Sequence, residues 1–296
     1  MKLVTRFAPS PTGRLHLGHA FSALLAHDFA RSRDGAFLLR IEDIDPGRSR
    51  PEHVDSIIED LAWLGIEWDG EIIFQSERLP LYAEALDRLR QAGLVYPCFC
   101  TRSVIAAEIA ASASAPHPGS GSGAGRPDGA LYPGTCRALA PAERERRAAA
   151  EPHAWRLDVA KASAQAGPLY WSDGDTEVQA EPQGHGDVVL ARKDAPVSYH
   201  LAVTVDDSAQ GVTDVVRGRD LYAATDVHRL LQALLGLPTP LYHHHPLLIG
   251  ADGRRLAKRN GAPTLAELRE SGVDPKALAA ELLTGQMPYG NPAASP

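Results

Sequence analysis

At 296 residues, with three cysteines and a formal net charge of −7, the chain is long enough to bury a substantial core, most simply as two domains. The acidic balance argues against binding nucleic acid through bulk charge and leaves only a local basic patch for RNA. Met1-Lys2-Leu3-Val4-Thr5-Arg6 holds no signal-peptide core and no apolar run approaches membrane-spanning length, so a cytoplasmic chain with no membrane partner is expected.

In chain order, Leu3 to Phe7 reads as a short buried strand. A turn, Ala8-Pro9-Ser10-Pro11-Thr12-Gly13, and the run His16-Leu17-Gly18-His19 then lead into a helix with Ala20, Phe21, Leu24, Leu25 and Phe29 on one face. Strand, glycine-containing turn and helix start together make an anion site, because the first-turn N–H groups and the helix dipole face the turn. His16 and His19 lie three residues apart and can serve one ligand, hydrogen-bonding a polyphosphate as its charge shifts. A capped turn without a ligand is the alternative. Ala36 to Ile41 reads as a second strand. Ser49 is expected to cap a helix with Pro51 in its first turn, an apolar stripe of Val54, Ile57, Ile58, Leu61 and Leu64, and Gly65 at its end. Pro80 to Gln91 reads as another helix, closed by Gly93. This βαβ order predicts a parallel sheet, with ligands at the carboxyl ends of its strands, where Arg6 to Gly13 and Arg40 to Asp45 fall.

From residue 96 to about 190 the composition shifts to Pro, Gly, Ser and Ala, and Ala110 to Gly129 is a low-complexity stretch expected to be mobile. Cys98-Phe99-Cys100 and Cys136 supply three thiolates, one short of a structural zinc site. Three buried free thiols are the alternative. Strand-like segments return at Ala202 to Val205, Val212 to Val216 and Pro246 to Ile249, with helical periodicity from Asp226 to Leu235. Adjacent His243, His244 and His245 in an extended segment would alternate between faces, which makes a poor chelate and favours packing. Arg137, Arg144, Arg146, Arg147 and Arg156, or Arg254, Arg255, Lys258 and Arg259, could form a basic patch or simply solvated faces.

Arg6-Phe7-Ala8-Pro9-Ser10-Pro11-Thr12-Gly13 with His16-Leu17-Gly18-His19 resembles the first signature of class I aminoacyl-tRNA synthetases, in the glutamyl branch. Arg40-Ile41-Glu42-Asp43-Ile44-Asp45 resembles that branch's R-I-E-D-T-D segment, and Arg217-Gly218-Arg219-Asp220-Leu221 its R-G-x-D-L segment. Arg255-Leu256-Ala257-Lys258-Arg259 stands where the K-M-S-K-S loop belongs. The resemblance implies an α/β fold: a Rossmann-like, doubly wound parallel sheet with an inserted zinc-containing domain similar to an acceptor-binding domain. Residues 1–95 would be the first catalytic half and 96–190 the insert. Residues 191–262 would be the second half with the K-M-S-K-S-like loop, and 263–296 a short helical tail. The chain stops shortly after Arg259, so ordinary anticodon recognition is expected to be absent. In this it is similar to the glutamyl-queuosine tRNA(Asp) synthetases, which activate glutamate without tRNA and attach it to queuosine in tRNA(Asp).

That resemblance implies roles. His16, Gly18, His19 and Lys258 would serve ATP, with His16, His19 and Lys258 catalytic. Arg6, Ala8, Ser10, Glu42, Tyr199 and Arg217 would hold glutamate, with Arg6 and Arg217 on its carboxylates and Glu42 and Ser10 on its amino group. Cys98, Cys100, Tyr132 and Cys136 would hold one Zn2+ per chain, although the stretch between Cys100 and Tyr132 is longer than the family's. Arg255 replaces the loop's first lysine, and Ala257 replaces its serine and loses a hydroxyl. Asp43 or Asp45 would contact RNA or cap the approach to the Ser49 helix, and Asp220 would bind nucleotide or brace the Arg217 turn. ATP is expected to arrive with Mg2+, and the chain to act as a monomer. The alternatives are a minimal glutamyl-tRNA synthetase charging tRNA(Glu), a nucleotidyltransferase of the H-x-G-H superfamily, and a non-catalytic RNA-binding paralogue.

Overall fold

A computed structural model of the protein describes residues 2–101, 103–105, 131–248 and 263–284. The low-complexity stretch 110–129 and the segment 249–262, which carries Lys258, lie outside the described residues. The chain begins with β1 (Val4–Phe7), α1 (Leu17–Arg31), β2 (Ala36–Ile41), α2 (Pro51–Trp63), β3 (Ile73–Phe74) and α3 (Leu79–Gln91). It continues through β4 (Val95–Cys98), α4 (Pro141–Ala150), β5 (Ala154–Leu157), α5 (Val159–Ala166), β6 (Tyr170–Asp173), β7 (Thr176–Gln179) and β8 (Val189–Ala191). The later elements are α6 (Tyr199–Ala209), β9 (Asp214–Gly218), α7 (Ala224–Leu235), β10 (Leu241–His245), α8 (Leu265–Glu270) and α9 (Pro275–Leu283).

The expected parallel sheet is present: β2 lies between β1 and β3, parallel to both. A second parallel pair, β9 with β10, sets His244 beside Arg217 and His245 beside Gly218. The two groups of strands meet where Thr213 N–H donates to the Val4 carbonyl at 2.9 Å and Val4 N–H donates to Thr213 Oγ1 at 2.9 Å. β6 runs parallel to β10 and antiparallel to β7, so part of segment 96–190 extends this sheet. β4, β5 and β8 form a separate antiparallel sheet that carries the cysteines.

Helix α1 packs on β1 and β2 through Leu17, Ala20, Phe21, Ala23, Leu24, Ala26 and Ala30, all buried against Phe7, Phe37, Leu39, Ile41 and Val216. The alanines let the helix axis come close to the strands, while the larger side chains each contribute roughly 1.5–3 kcal/mol of burial. This packing fixes the start of α1 over the carboxyl ends of β1 and β9.

Three local expectations are corrected. Ser49 does not cap α2: the N-cap is Arg50, with Pro51 at the first helical position, and Ser49 Oγ is buried without a partner among the described residues. Ala202 to Val205 lies inside helix α6, not in a strand, because Leu201, Ala202 and Val205 pack in the core shared with α3 and α7. Pro246 to Leu248 is not a strand either; the strand is β10, which ends at His245, before a proline that cannot donate to a ladder, and Ile249 lies outside the described residues. No helix among the described residues is long and apolar enough to cross a membrane.

Candidate active site and metal centre

A cavity of about 580 Å³ opens at the carboxyl ends of β1 and β9 and the start of α1. Every residue expected to hold glutamate (Arg6, Ala8, Ser10, Glu42, Tyr199, Arg217) lines it, as do His16, Gly18 and His19. Lys258, with its neighbours Arg254, Arg255, Ala257 and Arg259, lies outside the described residues. On either side of that segment, Leu248 lines the cavity and Thr264 bridges to His16.

The two imidazoles form the cap of α1. His16 Nδ1 accepts from Gly18 N–H at 3.1 Å, and His19 Nδ1 accepts from His16 N–H at 3.2 Å. Their ring centroids are 3.8 Å apart. A neutral imidazole that accepts at Nδ1 carries its proton at Nε2, so both rings present a donor at their other nitrogen. Position 18 favours a small residue, because a Cβ there would stand 3.0 Å from His16 Cε1, a tight contact. The cap thus sets two imidazole donors at the positive end of the helix dipole, a combination suited to phosphate oxygens.

Behind the cavity runs a buried charge network that sequence reasoning missed. Asp207 accepts from Arg6 Nε at 2.9 Å, Arg6 Nη2 at 3.1 Å and Arg40 Nη2 at 2.9 Å. Arg40 is fully buried, and its Nη2 lies 3.6 Å from Glu42 Oε1. Asp206, the next acid on α6, accepts from Gln75, Arg78 and Tyr82. Burial would raise the Asp207 carboxyl, but Arg6 and Arg40 outweigh it and hold it below the usual carboxylate range. Glu42 goes the other way: burial pushes it up to about 7, and Arg40 and Arg6 only partly offset this. Glu42 is held in place by its N–H, which donates to the Pro9 carbonyl at 3.0 Å.

Arg217, at the end of β9, is 4% exposed and has a different kind of surrounding. Its Nε donates to His244 Nε2 at 3.1 Å, and its Nη2 donates to Thr225 Oγ1 at 2.7 Å and the Leu221 carbonyl at 3.2 Å. Its Nη1 lies 3.4 Å from both Tyr199 Oη and His228 Nδ1. Among the described residues Arg217 forms no ion pair, whereas Arg6 and Arg40 are both paired with Asp207. His228, His200 and Thr225 were not singled out from the sequence. They sit on helices α6 and α7, and the one signal for them is the spacing of Thr225, His228 and Gln232 along one stripe of a mostly apolar buried helix.

The three consecutive histidines alternate as expected for a strand. His243 Nε2 is 2.8 Å from Asp214 Oδ1 and His245 Nε2 is 3.0 Å from Ser22 Oγ, both towards α1, while His244 turns to Arg217 and Asp173. Asp43 accepts from Ser76 and Asp45 pairs with Arg48 and Arg192, while Asp220 lines the cavity.

The metal-binding candidates converge on the antiparallel sheet. Cys98, Cys100 and Cys136 have their sulfur atoms within 4.8 Å of one another. Tyr132 Oη stands 3.5 Å from Cys98 Sγ and 3.6 Å from Cys100 Sγ, and Cys100 Sγ lies 3.5 Å from Cys136 Sγ. Four donors bound tetrahedrally to zinc at about 2.3 Å would stand roughly 3.8 Å apart, so the set fits such an ion. Phe99 N–H donates to Cys136 Sγ at 3.3 Å and Cys136 N–H donates to Tyr132 Oη at 2.9 Å, bonds that favour negative charge on both atoms. Several arginines of the first candidate basic patch are locally neutralised: Arg137 by Asp187, Arg146 by Glu143 and Arg147 by Glu151.

Residues 2–290 match the family model for tRNA synthetases class I (E and Q), catalytic domain. The chain is 50% identical over 279 residues to a glutamyl-Q tRNA(Asp) synthetase from Rhodobacter capsulatus, covering 92% of this chain and 97% of that one. A glutamyl-Q tRNA(Asp) synthetase from Deinococcus radiodurans is 47% identical over 285 residues, 95% of this chain and 88% of that one. Among solved structures, a glutamate tRNA ligase from Elizabethkingia meningosepticum in complex with its amino acid has a TM-score of 0.77 at 26% identity. The match covers 96% of this chain and 60% of that ligase. On these matches and on the motifs that line the cavity, the chain belongs to the class I tRNA synthetases for glutamate and glutamine, among the glutamyl-Q tRNA(Asp) synthetases.

Proposed function

We propose that the protein activates glutamate with ATP in the absence of RNA and then transfers the glutamyl group to queuosine in tRNA(Asp), the substrate for which its relatives are named. The observation that carries this reading is a single cavity with two chemically distinct ends. One end has Arg217, with neutral partners, close to Arg6, Glu42 and Tyr199; the other has the donors of His16, His19 and the α1 N-terminus.

Glutamate is already ionised at neutral pH, so its α-carboxylate attacks the α-phosphorus without a general base. A carboxylate-oxygen-to-phosphorus bond forms, the bond to the β-phosphate breaks, and pyrophosphate leaves. The protein supplies position and charge. Arg217, with Tyr199, takes the side-chain carboxylate through its planar guanidinium. Arg6, clamped by Asp207, faces the α-carboxylate, and Glu42, Ser10 and the Ala8 backbone face the ammonium. His16 and His19, with Gly18 leaving room beside them, bind the phosphates as negative charge moves onto them. Lys258 is assigned to the leaving pyrophosphate: it falls in sequence between Leu248, which lines the cavity, and Thr264, which bridges to His16. ATP enters with Mg2+. Cys98, Cys100, Tyr132 and Cys136 hold one Zn2+, which ties the loop after β4 to the antiparallel sheet and supplies rigidity rather than chemistry. The enzyme is monomeric and cytoplasmic in this reading, and residues 1–95 and 191–262 are the catalytic halves around a 96–190 insert whose β6 and β7 extend the sheet of the second half.

Glutamate-dependent ATP–pyrophosphate exchange without RNA, followed by transfer of labelled glutamate, tests the proposal. Exchange without RNA and label on queuosine-containing tRNA(Asp) alone is the expected result. Exchange that requires tRNA(Glu), with label on that tRNA, would make the protein a minimal glutamyl-tRNA synthetase, the reading favoured by its likeness to a solved glutamate tRNA ligase.

A further inference from the structure

Two cations face the amino-acid end of the cavity, and they are held in opposite ways. Arg6 is neutralised by a two-point contact with Asp207. Arg217 is held by an alcohol, a carbonyl, a phenol and two imidazoles.

The tautomers of those imidazoles follow from their other contacts. His244 Nδ1–H donates to Asp173 Oδ1 at 3.0 Å, which leaves the Nε2 lone pair for Arg217 Nε. His228 turns its Nδ1 lone pair to Arg217 Nη1, so its proton is on Nε2, 3.2 Å from His200 Nδ1. The chain of contacts therefore runs from Asp173 through His244, Arg217 and His228 to His200. Asp173 reaches the guanidinium only across an imidazole ring. Burial, and then the charge of Arg217, keep His228 well below the usual imidazole range and His244 down at about 4, so neither becomes a cation that would repel the arginine.

We infer that His228 and His244 are specificity-determining positioning residues: they fix Arg217 as neutral acceptors and so reserve its full charge for a substrate carboxylate. This rests on the proposed role of Arg217 as the receptor of the glutamate side chain. A carboxylate at either position would orient the guanidinium equally well, but it would neutralise it, as Asp207 does for Arg6. The margin for glutamate over uncharged ligands would then shrink, since an amide oxygen still accepts from Arg217 while a second carboxylate is attracted far less. Rejection of glutamine is thus a property of the cage as well as of the arginine.

The test uses a pair of variants that differ in one charge. His228→Asn and His228→Asp both place an oxygen near the position of Nδ1. In glutamate-dependent ATP–pyrophosphate exchange, His228→Asn should raise the KM for glutamate by no more than about fivefold, and His228→Asp by at least about 50-fold. The KM for ATP should move by less than about twofold in both, and the preference for glutamate over glutamine should collapse in His228→Asp only. Equal effects of the two variants, or an unchanged preference in His228→Asp, overturn the inference and leave His228 a packing residue. His244→Gln and His244→Glu carry the same contrast on the opposite side of the guanidinium, and they decide the matter where His228→Asp lacks a cooperative melt. Absence of glutamate-dependent exchange in the unaltered protein would overturn the proposed function itself, and the inference with it.

Discussion

Asp207 on α6 receives two nitrogens of Arg6 from β1, at 2.9 and 3.1 Å, and so clamps an arginine 201 positions away in sequence against the cavity wall. The same carboxylate accepts from Arg40 at 2.9 Å, which makes it the shared counter-ion of two buried guanidiniums. Removing its charge leaves both short of a partner. Asp207→Asn is therefore expected to lose about 3 kcal/mol, near the lower end for a broken buried ion pair. The melting temperature should fall by roughly 6–12 °C. The KM for glutamate should rise as well, because Arg6 loses its fixed direction. Thermal denaturation and exchange kinetics check this, and an unshifted melt would show that Glu42 and Asp206 already suffice for Arg40.

Glu42 supplies a pH dependence with opposite signs for stability and for binding. In the unfolded chain its carboxyl titrates near 4.5, whereas burial pushes it up to about 7 in the folded protein. Between those values the folded state binds more protons, so this group's contribution to stability declines as pH rises from about 4.5 through about 7. Binding of the substrate ammonium needs the ionised form, so the KM for glutamate should climb as pH falls below about 7. His200 and His244, held down at about 4, titrate below this window. Glu42→Gln should raise the KM at all pH values and flatten its pH profile between about 6 and about 8. A variant that keeps the slope would move the dependence to another group.

Gly18 is held to glycine by the ring it supports. A methyl group there would press on His16 Cε1 at 3.0 Å and Nδ1 at 3.2 Å, so the imidazole must give by a few tenths of an ångström. Gly18→Ala should keep the fold, since alanine is the better helix former, yet lower the turnover of exchange by roughly 10–100-fold. The KM for glutamate should change little. Rates and melting temperature measured together separate displacement of the ring from loss of structure.

The strand, turn and helix that carry His16 and His19 were legible because a short apolar run, a proline–glycine turn and an amphipathic helix each leave a local mark. Arg40, Asp206 and Asp207 were not. The run around Ala202 to Val205 is rich in β-branched residues and reads as a strand, yet it forms part of α6, a helix buried on more than one side, and the two acids that follow are buried with it. Their partners on β1, β2 and α3 are more than a hundred positions away, and no local pattern registers that distance. His228 and Thr225 are hidden for the same reason, as polar members, with Gln232, of a buried helix face that is mostly apolar. Ser49 misled because a good capping residue stood one position too early, before an arginine that itself precedes the proline.

The metal centre joins chemistry to architecture. Cys98 ends β4, Cys100 lies two residues on, and Tyr132 and Cys136 return to them from the far side of a long connection. A dication bound there would replace several weak thiol contacts with four strong bonds and so anchor that connection to the sheet. Freshly purified protein should carry about one zinc per chain, and Cys136→Ser well under half of that, measured by elemental analysis. Tyr132→Phe should retain the ion but surrender it faster to a chelator, because one of the four donors is gone while the three thiolates remain. The cysteines do not line the amino-acid cavity, so chelation should spare RNA-independent exchange. Transfer to tRNA(Asp) should fall instead, by roughly 10–100-fold, the range seen when a metal site loses its supporting contacts. Loss of exchange in parallel with transfer would mean that the ion supports the whole catalytic fold rather than the loop after β4.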